Sequence, residues 1–236
     1  MVTDTIIDMP PEVDPVWSDE VSTRIKSAER GRWNVEFGLD AQGIQTKSVR
    51  YNASESALME TALAKNEGVL SQTGAIVVNT GKFTGRSPKD KHIVLEKSSK
   101  DDIWWGGNRA MAPEAFETLK LDMLDHLRGL DVEVQDLVCG SVAEHSVNIR
   151  LVAEFSWHAL FLRNLMRRPN REQIETYAPE YTIINTPSFL ADPDRHGCRS
   201  ETVISVSFDQ KLVLIAGTEY SGENKKSAFT ILNHLY

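Results

Sequence analysis

Apolar positions along this chain fall into short runs separated by glycine, proline and polar clusters, and the length and period of each run predict its element. "ASESALMETALAKNEG" (53–68) has helical spacing, with Ser54 placed to cap its start and Gly68 to stop its end. "GAIVVNTG" (74–81) and "DKHIVLE" (90–96) predict short strands, so a turn must carry "KFTGRSPK" between them. "APEAFETLKLDMLDHLRGL" (112–130) predicts a helix, with proline near its start, an acidic first turn and apolar residues on one face. "DVEVQDLVCG" (131–140) and "VNIRLVAEF" (147–155) predict strands, and "WHALFLRNLM" (157–166) a largely buried helix ending before Arg167, Arg168 and Pro169. Three strand-like runs follow at 181–185, 202–208 and 211–217, the last two forming a hairpin through "DQ". Residues 1–16 predict a loose leader, and no repeat or low-complexity linker interrupts the rest. The sum is an α/β domain with flanking helices and a mixed sheet that is not purely parallel.

Composition narrows the class. The apolar fraction of 41% with 25% charged residues is that of an ordinary globular protein, and 236 residues can bury a proper core. A net charge of −8 disfavours a general nucleic-acid or anionic-membrane binder, while leaving room for a local cationic pocket. Two cysteines in no CxxC pair argue against a disulfide scaffold or a cysteine zinc site and fit a reducing cytosol. The acidic, proline-broken start does not resemble a signal peptide, and no apolar stretch reaches the roughly 20 residues of a membrane span. A cytoplasmic protein is the expectation.

Two loops carry candidate chemistry. "NTGKFTGRSPKDK" (79–91) crowds Lys82, Arg86, Lys89 and Lys91 around Gly81 and Gly85. Glycine lets backbone N–H groups approach an anion, and an arginine there grips a carboxylate or phosphate through two parallel hydrogen bonds. It is not a Walker A loop: "GRS" (85–87) lacks the lysine, and the required earlier glycine would be Thr80. A solvated basic turn is the alternative. "GTEYSGENKKS" (217–227) fails the same test, because Glu223 stands where lysine is required. Lys225 and Lys226 fall at the expected start of a helix, where cations oppose the helix dipole unless an anion or a metal-bound anion sits opposite. Two adjacent ammonium groups also push each other's pKa down, which suits a lysine to metal ligation or proton transfer. Two surface lysines on an exposed helix start are the alternative here.

With both loops in hand, the chain resembles the ATP-dependent phosphoenolpyruvate carboxykinases. "TGKFTGRSPKDK" (80–91) and "GTEYSGENKKS" (217–227) carry the resemblance. "WWGGNRAMAPEAFETL" (104–119), "EFSWHALFLRNLMRRP" (154–169) and "YTIINTPSFLADPDRHGCRSET" (181–202) lie between them in the family's order. The resemblance runs from about Ala53 to Tyr236.

It implies a lyase of gluconeogenesis that converts oxaloacetate and ATP to phosphoenolpyruvate, ADP and CO2 with Mg2+ and Mn2+. Full-length members are expected to be monomers with two lobes, of which residues 1–236 match the N-terminal one. By resemblance, Arg86 binds the substrate carboxylate and Tyr220 packs its ring against oxaloacetate or phosphoenolpyruvate. Lys226 touches substrate, ATP phosphate and Mn2+, with Lys225 as its electrostatic neighbour. The C-terminal nucleotide-binding domain is absent from this sequence: no "GxxGxGKT"-like loop occurs, and no aspartate pair follows one. None of the six histidines fits the family's metal-binding position. His158 reads as a packed core residue, His196 as a loop residue and His234 as part of the terminal helix. The expectation is half of a substrate pocket that does not turn over ATP alone. The rival expectation is a non-catalytic anion-binding or regulatory module that has lost the kinase half.

Overall fold

The structure, a computed structural model, describes residues 38–236 apart from 171, 172 and 175. The leader expected at 1–16 lies outside the described residues. In chain order the strands and helices are β1 (Ser48–Tyr51), α1 (Glu55–Ala64), β2 (Gly68–Leu70), β3 (Ile76–Val78), β4 (Lys91–Val94), β5 (Arg109–Met111), α2 (Pro113–Leu127), β6 (Asp131–Cys139), β7 (Val147–Ala153), α3 (Ser156–Leu165), β8 (Tyr181–Thr186), α4 (Pro193–His196), β9 (Val203–Ser207), β10 (Leu212–Ala216) and α5 (Gly222–Leu235).

Eight strands form one sheet in the order β1-β6-β7-β8-β10-β9-β4-β5, and β2 pairs with β3 apart from it. Pairing is antiparallel at β6–β7 and β9–β10 and parallel elsewhere in the large sheet, so the sheet is mixed, as expected. The central strands are continuous apolar runs because both faces are covered. Neighbours on one strand divide between two cores: Ile183, Val213 and Ile215 join Leu58 of α1, Leu162 of α3 and Ile231 of α5. Ile184, Leu214 and Ala216 face the other way onto Phe116, Leu119 and Met123 of α2. The alternation follows from the two-residue period of a strand, and the result is a three-layer α/β/α domain.

Several expectations need adjusting. The first helix ends at Ala64 rather than at Gly68, because Asn66 adopts a left-handed φ of 57° and Gly68 already opens β2. β1, β2, β5 and α4 were not expected from sequence, being three or four residues long and too short to show a period. His196 is not a loop residue. It closes α4, is buried, and its Nε2 lies 3.0 Å from Asp122 Oδ2. The β9–β10 hairpin turns through Asp209 and Gln210 as expected, with Lys211 at a φ of 51°. Both cysteines are free, and among the described residues no helix is long and apolar enough to cross a membrane.

Candidate functional site

Strand pairing brings the two glycine loops together. At the end of β10, Ile215 pairs with Ile204 of β9, and Ile204 pairs in turn with Lys91 at the start of β4. The loop leaving β10 and the loop entering β4 therefore emerge at the same edge of the sheet, two strand spacings or roughly 10 Å apart. β8 and β10 run parallel and both end at this edge, where ligands of α/β sheets commonly bind.

The loops are joined directly. The Ser87 N–H donates to Glu223 Oε1 at 2.5 Å, and both residues are buried. Lys91 Nζ donates to Thr230 Oγ1 at 3.0 Å, and that hydroxyl donates to the Lys226 carbonyl oxygen at 3.0 Å. Burial holds the Lys91 amine below its ordinary pKa, helped by the positive charges of Lys226 and Arg86 and opposed by Glu223. Burial also pushes the Glu223 carboxyl up, against the Ser87 hydrogen bond and the charges of Arg86 and Lys91. Arg86 and Lys91 thus both act on the Glu223 carboxylate, and Lys226 acts on Lys91. A second carboxylate, Asp90, is taken up by the Arg199 guanidinium at 2.9 and 3.0 Å and by Ser200 Oγ at 2.8 Å.

The exit from β10 is shaped by close approach. Gly217 has a φ of 67°, and a Cβ there would lie 2.4 Å from the Glu201 carbonyl oxygen. Gly81, at a φ of 63°, lets the Glu219 carboxylate lie over it, 3.2 Å from where a Cβ would stand. The Glu219 carbonyl receives the fully buried His158 Nε2 at 2.8 Å. The next residue, Tyr220, has its N–H bonded to Thr218 Oγ1 at 3.2 Å and its ring folded over Gly222. The start of α5 is fixed to β8 by Asn185 Nδ2, which donates to Asn224 Oδ1 at 2.8 Å.

Of the residues singled out by sequence, Arg86, Lys91, Tyr220 and Lys226 come to this edge. Lys82 instead lies 3.7 Å from Glu201, and Lys89 is exposed. Lys225 sits with its Nζ 5.5 Å from the Phe229 ring centroid, and the positive charge of Lys226 acts on Lys91. The helix also begins earlier than expected, at Gly222, with Glu223 in its first turn. Lys225 and Lys226 are its fourth and fifth residues, where the opposition of the dipole to a cation is already falling off. Five contributors escaped the sequence: Glu223, Asp90, Arg199, His158 and Asn185. Each acts through a partner distant in the chain, which periodicity does not report.

Toward a metal ion these residues offer the Lys226 amine and the Glu223 carboxylate, which the Ser87 N–H already occupies. Among the described residues no group of three or more His, Cys, Asp or Glu is placed to hold a metal. The donor set fits an anion; Mn2+ or Mg2+ at Lys226 would need further ligands beyond it.

Comparison with known proteins agrees with these motifs. The sequence model of the phosphoenolpyruvate carboxykinase family matches residues 47–236. The chain is 56% identical over 206 residues to phosphoenolpyruvate carboxykinase (ATP) of Ruegeria pomeroyi, covering 87% of this chain and 39% of that protein. Against the enzyme of the same name from Paracoccus denitrificans it is 52% identical over 205 residues, covering 86% of this chain and 38% of the relative. The Rhizobium meliloti enzyme is 51% identical over 208 residues, covering 88% and 39% respectively. The chain thus spans less than half the length of these relatives, and it belongs to the ATP-dependent phosphoenolpyruvate carboxykinase family.

Proposed function

We propose that this chain supplies the substrate-binding half of an ATP-dependent phosphoenolpyruvate carboxykinase, acting on oxaloacetate, ATP, phosphoenolpyruvate and CO2. The observation that carries the proposal is the gathering of positive charge where the two loops meet: Lys226 and Arg86 both act on Lys91, and Arg86 and Lys91 act on the Glu223 carboxylate that holds Ser87. In this reading Arg86 grips a carboxylate of oxaloacetate, and the Tyr220 ring packs against the substrate. Loss of CO2 leaves an enolate whose oxygen attacks the γ-phosphate of ATP. The Lys226 ammonium stabilises negative charge developing on the enolate and on the phosphate.

The same reading includes the gluconeogenic direction, a cytoplasmic setting and a monomeric full-length enzyme. Residues 1–236 act as the N-terminal domain, and the 236-residue chain does not turn over ATP by itself, having no "GxxGxGKT"-like loop. Two measurements test this. Isolated chain should give no ATP-dependent phosphoenolpyruvate above background; sustained formation refutes the claim of inactivity. In calorimetry it should bind oxaloacetate, and Arg86→Ala should abolish that binding. Equal affinity in the variant refutes the role of Arg86.

A further inference from the structure

We infer that Lys91 is a third anion-binding cation of the substrate site, so that Arg86, Lys91 and Lys226 together take a dicarboxylate or similar doubly charged small anion. The inference rests on the assignment of Arg86 and Lys226 to substrate binding and extends it to the charge the site prefers.

Lys91 opens β4 and is half-buried. One of the three N–H donors of its ammonium goes to Thr230, whose own proton goes to the Lys226 carbonyl. That chain of two bonds fixes the amine against α5 beside Lys226. Lys91 and Lys226 also line one cavity of about 320 Å3, with Asp102, Asn108, Asn233 and His234 on its walls. Among the described residues none of Arg86, Lys91 and Lys226 forms an ion pair, and Asp90 is already paired with Arg199.

The positive charges of Lys226 and Arg86 repel the charged Lys91 amine, most of all because that amine is partly desolvated. Burial is the first cause of the lowered pKa of Lys91, and the positive charges of Lys226 and Arg86 lower it further, against Glu223. A dianion between the three groups reverses the effect and favours the charged amine. Binding is therefore strongest while Lys91 is protonated and weakens as pH rises through its lowered pKa. The groups facing this amine are Arg86 on its loop and Glu223 and Lys226 on α5, with Asp102 and His234 on the cavity wall.

Calorimetric titration of the 236-residue chain with oxalate, a stable dianion, from neutral pH to about pH 10 tests the inference. The affinity of the unsubstituted chain should fall on the alkaline side. Lys91→Gln should bind roughly tenfold more weakly or worse at neutral pH, the effect of losing one charge-assisted hydrogen bond. Lys91→Arg should bind within about threefold and move the alkaline loss upward, since a guanidinium keeps its proton. Unchanged affinity and an unchanged pH profile in Lys91→Gln overturn the inference, while loss of binding in Arg86→Ala leaves the underlying assignment standing. Undiminished binding in Arg86→Ala brings down that assignment and this inference with it. Should Lys91→Gln not fold, Lys91→Arg decides alone: an alkaline loss that stays in place overturns the inference.

Discussion

Ser87 gives its backbone N–H to Glu223 Oε1 at 2.5 Å, across 136 positions of sequence. Ser87 follows Arg86 directly, and Glu223 stands one turn of α5 before Lys226. This one bond therefore sets the spacing between the two residues proposed to meet substrate. Glu223→Ala leaves the buried Ser87 N–H unpaired and should lower stability in urea unfolding by about 2 kcal/mol. It should also weaken oxaloacetate binding by displacing Arg86. Glu223→Gln, which still accepts from Ser87, should lose less on both counts; equal losses in the two variants would show that charge rather than the hydrogen bond holds the loops together.

At Gly217 the constraint is steric. A methyl group would have to clear the Glu201 carbonyl oxygen at 2.4 Å while the backbone kept a φ of 67°. Gly217→Ala should lower stability by about 2 kcal/mol or more, and Gly81→Ala by only about 1, since its neighbour is the movable end of Glu219. Thermal unfolding of the two variants checks the ranking.

His158 predicts a pH dependence. Its Nε2 faces a carbonyl, so that nitrogen carries the proton and the ring is neutral, and burial lowers its pKa from 6.5 to about 4. The unfolded chain takes up a proton in that interval and the folded chain resists it, so stability is full above pH 6.5 and falls as pH drops toward 4. The slope from this one group is at most about 1.4 kcal/mol per pH unit. His158→Gln keeps a donor for the Glu219 carbonyl and should flatten that acid loss in urea unfolding at stepped pH. An identical slope in the variant would assign the loss to other groups.

Asp122 should behave differently. It accepts from Arg195 Nε at 2.6 Å and Nη2 at 2.9 Å, and from His196 Nε2 at 3.0 Å. The Arg195 hydrogen bonds, with that of His196, hold its pKa at about 2 against an ordinary 3.8. A lowered carboxyl stabilises the fold above pH 3.8 and loses that contribution as pH falls through 2. Asp122→Asn should be less stable than the unsubstituted chain at about pH 5, with the gap closing toward pH 2. A gap constant with pH would mean the ion pair contributes nothing.

Much of the fold was legible because its elements are long and clearly patterned. Pro113 opening α2, the Ser54 cap of α1 and the apolar runs of β8 and β10 lie where periodicity and capping rules put them. The short elements β1, β5 and α4 were not legible, since three or four residues show no period. In the candidate site, both loops with Arg86 and Lys226 stood out by residue type, and Tyr220 through the family resemblance. Glu223, Asp90 and His158 did not, because a carboxylate or an imidazole in isolation resembles any other.

The sequence by itself determined the class of fold, the two glycine-rich basic loops and the family to which the chain belongs, all of which depend on local composition, spacing and order. Tertiary structure decided which atoms of those loops meet. The register Lys91–Ile204–Ile215 across β4, β9 and β10 puts the loops at one edge. That register joins residues more than a hundred positions apart, and no local period encodes it. It puts Lys91 within electrostatic reach of Lys226, and it turns Glu223 from a residue in the wrong place for a Walker loop into the carboxylate that ties the two loops together.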